Sequence, residues 1–202
     1  MDVVQIGGTR IFWWAKRVSD IALSLFLLPI LIVAAFALAV FNPFFNPGPI
    51  FYRQVRVGRN KALFVMYKFR TMRSAPPSAR FADTEAYRIT AFGRFLRRYR
   101  IDELPQILNV IKGEMSLIGP RPEQPEFARE YEHSLPGYHL RHAVRPGLSG
   151  LSQVVQGYTN DTEGTQRKLA LDLRYIRKCG FRMEGYVLWR TLITVATGYG
   201  AL

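Results

Sequence analysis

Cysteine is nearly missing from this chain: Cys179 is the sole one in 202 residues. No intramolecular disulfide can form, which fits a reducing compartment and excludes a scaffold stapled by bridges. Histidine is scarce as well, at three. His139 and His142 have a spacing that suits helical metal ligands, but no third ligand cluster accompanies them, which argues against zinc. Acids are outnumbered, 15 against 28 lysines and arginines, leaving a net charge of +13. Such an excess asks for an acidic partner: nucleic acid, an anionic lipid surface or a phosphorylated substrate. Charge alone does not choose among them. Repeats and low-complexity segments are absent, and the chain is long enough to bury a core.

Charge is itself absent from Ile21 to Phe41. A helix of about 20 apolar residues crosses a bilayer, so the run is just long enough. No small-residue cleavage site follows it. It is apolar on every face, which disfavours a buried helix of a soluble protein. Pro29 lies inside it, removes a backbone donor and kinks the helix. Two shapes follow: a straight span, or a hairpin that enters and leaves on one face. Arg10, Lys16 and Arg17 precede the run; Arg53, Arg56, Arg59, Lys61, Lys68, Arg70 and Arg73 follow it. Basic flanks favour the cytoplasm, so a hairpin satisfies both and a signal anchor only one. The carbonyl freed by Pro29 needs a partner, Ser24 or another helix. Aromatic residues make up 13% of the chain, which suits a lipid headgroup interface as well as a core.

Beyond the run, Asn42 to Pro49 is rich in breakers and ends the apolar helix. Ile50 to Phe69 reads as a strand hairpin turning at Gly58-Arg59-Asn60. Ser74 to Arg80 reads as a mobile loop. Phe92, Phe95, Leu96 and Tyr99 fall at helical spacing, as do Leu104, Ile107, Leu108 and Ile111. Gly119 to Pro125 holds three prolines and is extended. Pro146 to Gly150 reads as a turn. Helices are expected over Thr165 to Lys178 and Met183 to Thr197. The division expected is a membrane segment over 1–49 and a catalytic domain over 50–202.

Chemistry concentrates at Asp102-Glu103-Leu104-Pro105. Asp102 reads as a helix N-cap, with Pro105 tolerated in the first turn. The leading N–H groups attract anions and favour an ionised carboxylate. An ionised carboxylate can attack phosphorus. Glu103 beside it can hold magnesium, which takes oxygen ligands and bridges phosphates. On this tetrapeptide alone, plain helix capping is the commoner reading. Lys68 and Arg70 after an apolar strand can grip phosphates, or merely end a solvated strand. Arg94, Arg97, Arg98 and Arg100 crowd together, which is unfavourable without an anion nearby, whether substrate or lipid headgroup. Arg121 sits stiffly between Pro120 and Pro122, which lowers the entropy cost of meeting an anion.

Lys68-Phe69-Arg70-Thr71-Met72, Arg97 through Gln106, Asn109-Val110 and Lys112 through Pro122 together resemble the bacterial sugar transferase family, the monotopic phosphoglycosyl transferases. Arg145 through Gly150, and Leu171-Asp172 with Tyr175, resemble its later motifs. The match runs in order from Lys16 over nearly the whole chain, and it is to the family's minimal form without extra transmembrane spans.

The resemblance implies an α/β, mainly helical monotopic membrane protein. Its parts are a re-entrant N-terminal helix, a small β-hairpin and membrane-surface amphipathic helices, at the cytoplasmic face of the bacterial inner membrane. It implies Asp102 as nucleophile and Glu103 as the Mg2+ ligand. Lys68, Arg97 and Asp172 then serve the active site, while Pro120, Arg121, Pro122 and Arg145 place the nucleotide phosphates. The substrates implied are a UDP-sugar and polyprenyl phosphate, with UMP released in a ping-pong reaction. Anionic lipids are partners, nucleic acid is not, and homo-oligomerisation stays open. Leu28-Pro29 stands where the family often has Ser-Pro, Arg100 replaces a small polar residue, and residues 176–190 match poorly. Two rivals are a membrane-anchored nucleic-acid binder, which the acids at Asp102, Glu103 and Asp172 oppose, and a noncatalytic scaffold, which needs no such acid pair.

Overall fold

A computed structural model describes residues 5–73, 86–156 and 162–197. The loop expected over 74–80 lies outside the described residues. Within them the protein is mostly helical, with two small two-stranded sheets.

The first helix, α1 (Arg10–Phe45), is 36 residues long. Thr9 caps it by accepting the Phe12 N–H at 3.2 Å. It is the one described helix long and apolar enough to cross a membrane. Pro29 lies inside it without ending it, and so does Pro43. The helix thus runs four residues beyond the apolar stretch, into the segment expected to break it. The reason is non-local. Arg70 donates to the Asn46, Pro47 and Pro49 carbonyls at the helix end, and the Asn42 amide donates to Gly48 O at 2.8 Å. These bonds hold the 46–49 segment against the helix end. Ser24 is fully buried, yet its hydroxyl has no partner, so it does not satisfy the carbonyl freed by Pro29.

One face of α1 is a core face. Leu31 and Leu38 pack with Phe69, Leu96 and Ile107, while Phe12 joins Tyr175, Ile176 and Val187. The other face exposes Phe26, Ile32, Val33 and Phe36.

The hairpin forms as expected. Strands β1 (Phe51–Val57) and β2 (Leu63–Phe69) pair antiparallel around Arg59–Lys61, where Asn60 and Lys61 take the positive φ that the tight turn needs. Helices α2 (Ala91–Arg98) and α3 (Gln106–Lys112) follow. Asn109, fully buried on α3, docks it on β2: its amide donates to Val65 O at 2.7 Å and accepts from Tyr67 N at 3.2 Å. After β3 (Ser116–Ile118) comes the irregular 119–124 segment, then α4 (Pro125–Ser134). Residues 147–149, expected as part of a turn, form a strand, β4 (Gly147–Ser149), parallel to β3. Its reason is contact rather than local propensity, since Ser116 N bonds Pro146 O at 2.8 Å and Gly119 N bonds Ser149 O at 2.9 Å. The short α5 (Leu151–Val155) precedes α6 (Thr162–Lys178) and α7 (Phe181–Thr197). Helix α7 buries Val187 in the core and bonds inward through Glu184 and Thr191, while Phe181, Leu188, Trp189 and Leu192 are exposed.

The β3–β4 contact leaves no room for a side chain. A Cβ on Gly147 would sit 2.1 Å from the Gly119 nitrogen, whereas one on Gly185 would meet nothing within 4 Å. Gly147→Ala should therefore cost about 1–3 kcal/mol, read as a fall of several degrees in Tm. Gly185→Ala, in mid-helix, should hold or raise Tm. Equal effects from the two would contradict the packing described.

Candidate active site

Asp102 and Glu103 lie in a single 3-10 turn, Ile101–Glu103, between α2 and α3. The sequence suggested that Asp102 caps the helix. It does not: α3 starts at Gln106 with Pro105 at the cap position, and no side chain caps it. The turn is closed instead by Glu103 N to Arg100 O at 3.2 Å and Leu104 N to Ile101 O at 3.1 Å. Arg100 enters it with φ 55 and ψ 20, a left-handed conformation that costs an ordinary side chain about 1–2 kcal/mol. Short polar residues such as Asn tolerate that conformation better than arginine, which gives a physical meaning to the departure noted at this position.

Both carboxylates are buried, Asp102 at 8% and Glu103 at 7% exposure. Glu103 is well framed. Its Oε1 accepts from Lys68 Nζ at 3.1 Å and from Arg121 Nη2 at 2.7 Å. Burial works to raise its pKa, but the charges of Arg121 and Lys68 win and hold it well below the usual carboxylate range. Asp102 is the opposite case. Its Oδ1 is buried with no hydrogen-bond partner among the described residues. Burial first, and then the charge of Glu103, push its pKa up to about 6, against the pull of Lys68, Arg97 and Arg121. The short α3 does not supply the field expected to keep this acid ionised.

The residues expected to serve these acids stand at different distances from them. Lys68, near the end of β2, and Arg121 touch Glu103 directly. Arg97 stands behind Asp102, its Nε bonded to Thr71 Oγ1 at 3.0 Å. Pro120 and Pro122 act through their carbonyls, which accept from Gly147 N at 2.9 Å and Arg56 Nη1 at 3.2 Å. These bonds pin Arg121 from both sides. Asp172 touches neither acid. It is 1% exposed and binds the Arg141 guanidinium, with Nη2 to Oδ2 at 2.6 Å. That same Nη2 donates to the Arg121 carbonyl at 2.9 Å. Asp172 is thus a positioning residue, acting through Arg141 on the backbone of Arg121. Sequence reasoning missed Arg141 altogether. Arg145 departs from expectation: its Nε donates to Gly113 O at 2.8 Å, beyond the far end of α3 from Asp102. That helix puts roughly 10 Å between them.

Among the described residues, no group of three or more His, Cys, Asp or Glu could hold a metal ion, and the histidine pair makes no such site. Burial holds His142 down to about 4, a neutral ring. The acid pair is better suited to magnesium. Asp102 Oδ1 has no partner, and Glu103 has its second oxygen beyond the one that Lys68 and Arg121 share. Magnesium takes one or two carboxylates and completes its shell with water and substrate phosphate, so this donor set fits.

The raised pKa carries a stability cost. A carboxyl whose folded pKa lies above its ordinary value of 3.8 stabilises the fold below that value, and the gain is lost as pH rises through about 6. At pH 7.5 in EDTA, Asp102→Asn should be the more stable protein by about 1–3 kcal/mol. The difference should shrink as pH falls from 6 to 4. Thermal unfolding across that range checks it, and a variant less stable than the parent at pH 7.5 would contradict the burial assigned to Asp102.

The profile described as "Bacterial sugar transferase" matches residues 11–198. A UDP-N-acetylgalactosamine-undecaprenyl-phosphate N-acetylgalactosaminephosphotransferase from Aeromonas hydrophila is 41% identical over 202 residues, covering 98% of this chain and 48% of that protein. A UDP-glucose:undecaprenyl-phosphate glucose-1-phosphate transferase from Caulobacter vibrioides is 37% identical over 190 residues, covering 90% of this chain and 70% of that protein. The exopolysaccharide production protein PSS of Rhizobium leguminosarum bv. phaseoli is 35% identical, covering 90% of this chain and 95% of that protein. The chain spans about half the length of the Aeromonas relative. A match over nearly all of its residues, with the acid pair and its basic frame in place, assigns the chain to the bacterial sugar transferase family.

Proposed function

We propose that the chain transfers a sugar-1-phosphate from a UDP-sugar to undecaprenyl phosphate through a covalent phosphosugar on Asp102. The observation that carries this reading is the buried Asp102 oxygen left without a partner, next to a Glu103 fixed by Lys68 and Arg121. A pKa of about 6 leaves most of Asp102 ionised at neutral pH and poorly solvated, which suits a nucleophile. In the first half-reaction a carboxylate oxygen forms a bond to the sugar-bearing phosphorus. The bond from that phosphorus to the bridging oxygen breaks, and UMP leaves with the electron pair. In the second, a phosphate oxygen of the lipid attacks the same phosphorus and Asp102 leaves as carboxylate.

Anion attacking anion needs positive charge close by. Lys68, Arg97 and Arg121 supply it, and the Asp172–Arg141 pair holds the Arg121 backbone so that its guanidinium is already placed. Magnesium held at Glu103 would neutralise phosphate charge as it develops. Relatives named for glucose and for N-acetylgalactosamine support a hexose or acetamidohexose donor.

Incubation with a radiolabelled UDP-sugar and no lipid should release UMP once and leave label on the peptide holding Asp102. Asp102→Asn should lose turnover by about 1000-fold or more, the scale on which a lost nucleophile reads. EDTA should abolish turnover, and magnesium should restore it. Normal turnover in Asp102→Asn would overturn the covalent route.

We also place α1 as a re-entrant helix, on the cytoplasmic face of the inner membrane. What supports this is that both ends of α1 bond the same folded body. Arg17 donates to the Val110 and Ile111 carbonyls, and the Asn46 amide donates to Arg70 O. A crossing helix would carry one of these ends to the opposite side. Single cysteines before Lys16 and after Pro49, in a Cys179→Ser background, should both resist an impermeant maleimide in intact cells. External labelling of the first alone would make α1 a true span.

A further inference from the structure

At the far end of α3 from the acid pair, the structure holds a cleft of about 240 Å³ that the proposed reaction does not use. Its wall is unusually basic. Arg17, Arg59 and Arg145 line it, with Lys16 at its floor and Trp13 and Tyr175 as its aromatic sides. Lys16 is matched, since its Nζ lies 2.6 Å from Glu184 Oε2. Asp20 also lines the cleft, but its oxygens serve Ser116 Oγ at 2.8 Å and Leu117 N at 3.2 Å.

A purely structural role accounts for part of this charge. Arg17 and Arg145 donate to the carbonyls of Val110, Ile111 and Gly113 at the C-terminus of α3. A helix end offers about half a negative charge. Three guanidiniums set against that half charge and one aspartate leave an excess of about one and a half positive charges. The arginines face one another: burial first, then the charges of Arg17 and Arg59, press the Arg145 pKa below its ordinary value. The Arg59 guanidinium forms no hydrogen bond or ion pair with another described residue, while the residue's backbone carbonyl accepts from Ala62 N at 3.1 Å. Its backbone lies in the β1–β2 turn, and its side chain reaches the rim of the cleft. Helix capping explains the inner two arginines. It does not explain the third, nor the space left between them.

We propose that this cleft is a second anion site, which takes the phosphate of a phosphomonoester or phosphodiester independently of Asp102 and Glu103. Three guanidiniums lining one cleft suit phosphate oxygens, which accept paired N–H bonds. The opening lies by the first turns of α1, where Ile11 and Trp14 are 75% and 70% exposed. An apolar and indole surface beside a phosphate site fits a lipid headgroup, and a free phosphate offers the same chemistry to the arginines.

The test uses the full chain in a neutral, phosphate-free detergent at low salt. Inorganic phosphate, dihexanoyl phosphatidylglycerol and dihexanoylglycerol are titrated separately, and binding is read from the shift in Tm. Saturable stabilisation by inorganic phosphate and by the phospholipid is expected if any phosphate suffices. Stabilisation by the phospholipid alone assigns the site to a headgroup. In either case Arg59→Gln should weaken binding about tenfold, the factor one charge-assisted hydrogen bond supplies. Arg121→Gln, which alters a guanidinium bonded to Glu103 and outside the lining of the cleft, should leave binding in place. Arg145→Gln should also weaken binding; should loss of its Gly113 bond unfold the chain, the exposed Arg59 still decides. No saturable stabilisation, an equal effect from dihexanoylglycerol, or binding that survives Arg59→Gln and disappears in Arg121→Gln would overturn the proposal.

Discussion

Burying two adjacent carboxylates is the constraint around which the catalytic half of the fold is arranged. An unpaired buried carboxylate costs several kcal/mol, and a second beside it adds repulsion. The protein resolves this unequally. Glu103 receives Lys68 from β2 and Arg121 from the 119–124 segment, on one and the same oxygen. Asp102 receives no direct hydrogen bond at Oδ1. The frame stabilises one acid and leaves its neighbour poorly compensated, and the difference in their pKa directions follows from that asymmetry.

The frame is itself framed. Arg121 reaches Glu103 because Gly147 approaches Pro120 closely, and because Arg141 holds the Arg121 carbonyl. Arg141 in turn is a buried cation that needs Asp172, with Tyr138 and Glu123 close by. Breaking such a pair by removing one partner costs about 3–5 kcal/mol, so the placement of one surface-reaching arginine rests on a buried network behind it.

Much of this was legible in the sequence. Alternation gave the hairpin, 3.6-residue spacing gave α2, α6 and α7, and the acid pair stood out once Lys68 and Arg121 were read beside it. What was hidden depends on partners distant in the chain. Nothing local distinguishes Arg141 from the other basic residues, since its importance comes from Asp172, 31 positions later. Strand β4 reads as a turn because glycine and proline punctuate it, and it becomes a strand only against β3. Asp102 reads as a cap because its spacing to the next helix is nearly right; a proline and a left-handed arginine move the helix start to Gln106. Arg145 sits in a motif that the resemblance ties to nucleotide phosphates, but chain proximity to that motif did not bring its guanidinium to the acids.

The first helix is usually thought of as an anchor, and here its inner face is also core. Lys16 and Asp20 pair into α7 and β3, and Leu31 and Leu38 fill the space behind α2 and α3. Cutting the chain after Phe45 to obtain a water-soluble fragment would therefore remove packing as well as attachment. The exposed apolar face and the core face belong to one and the same helix. Sequence drift in α1 is limited from two directions at once, and the hydrophobicity of the segment alone does not measure how replaceable it is.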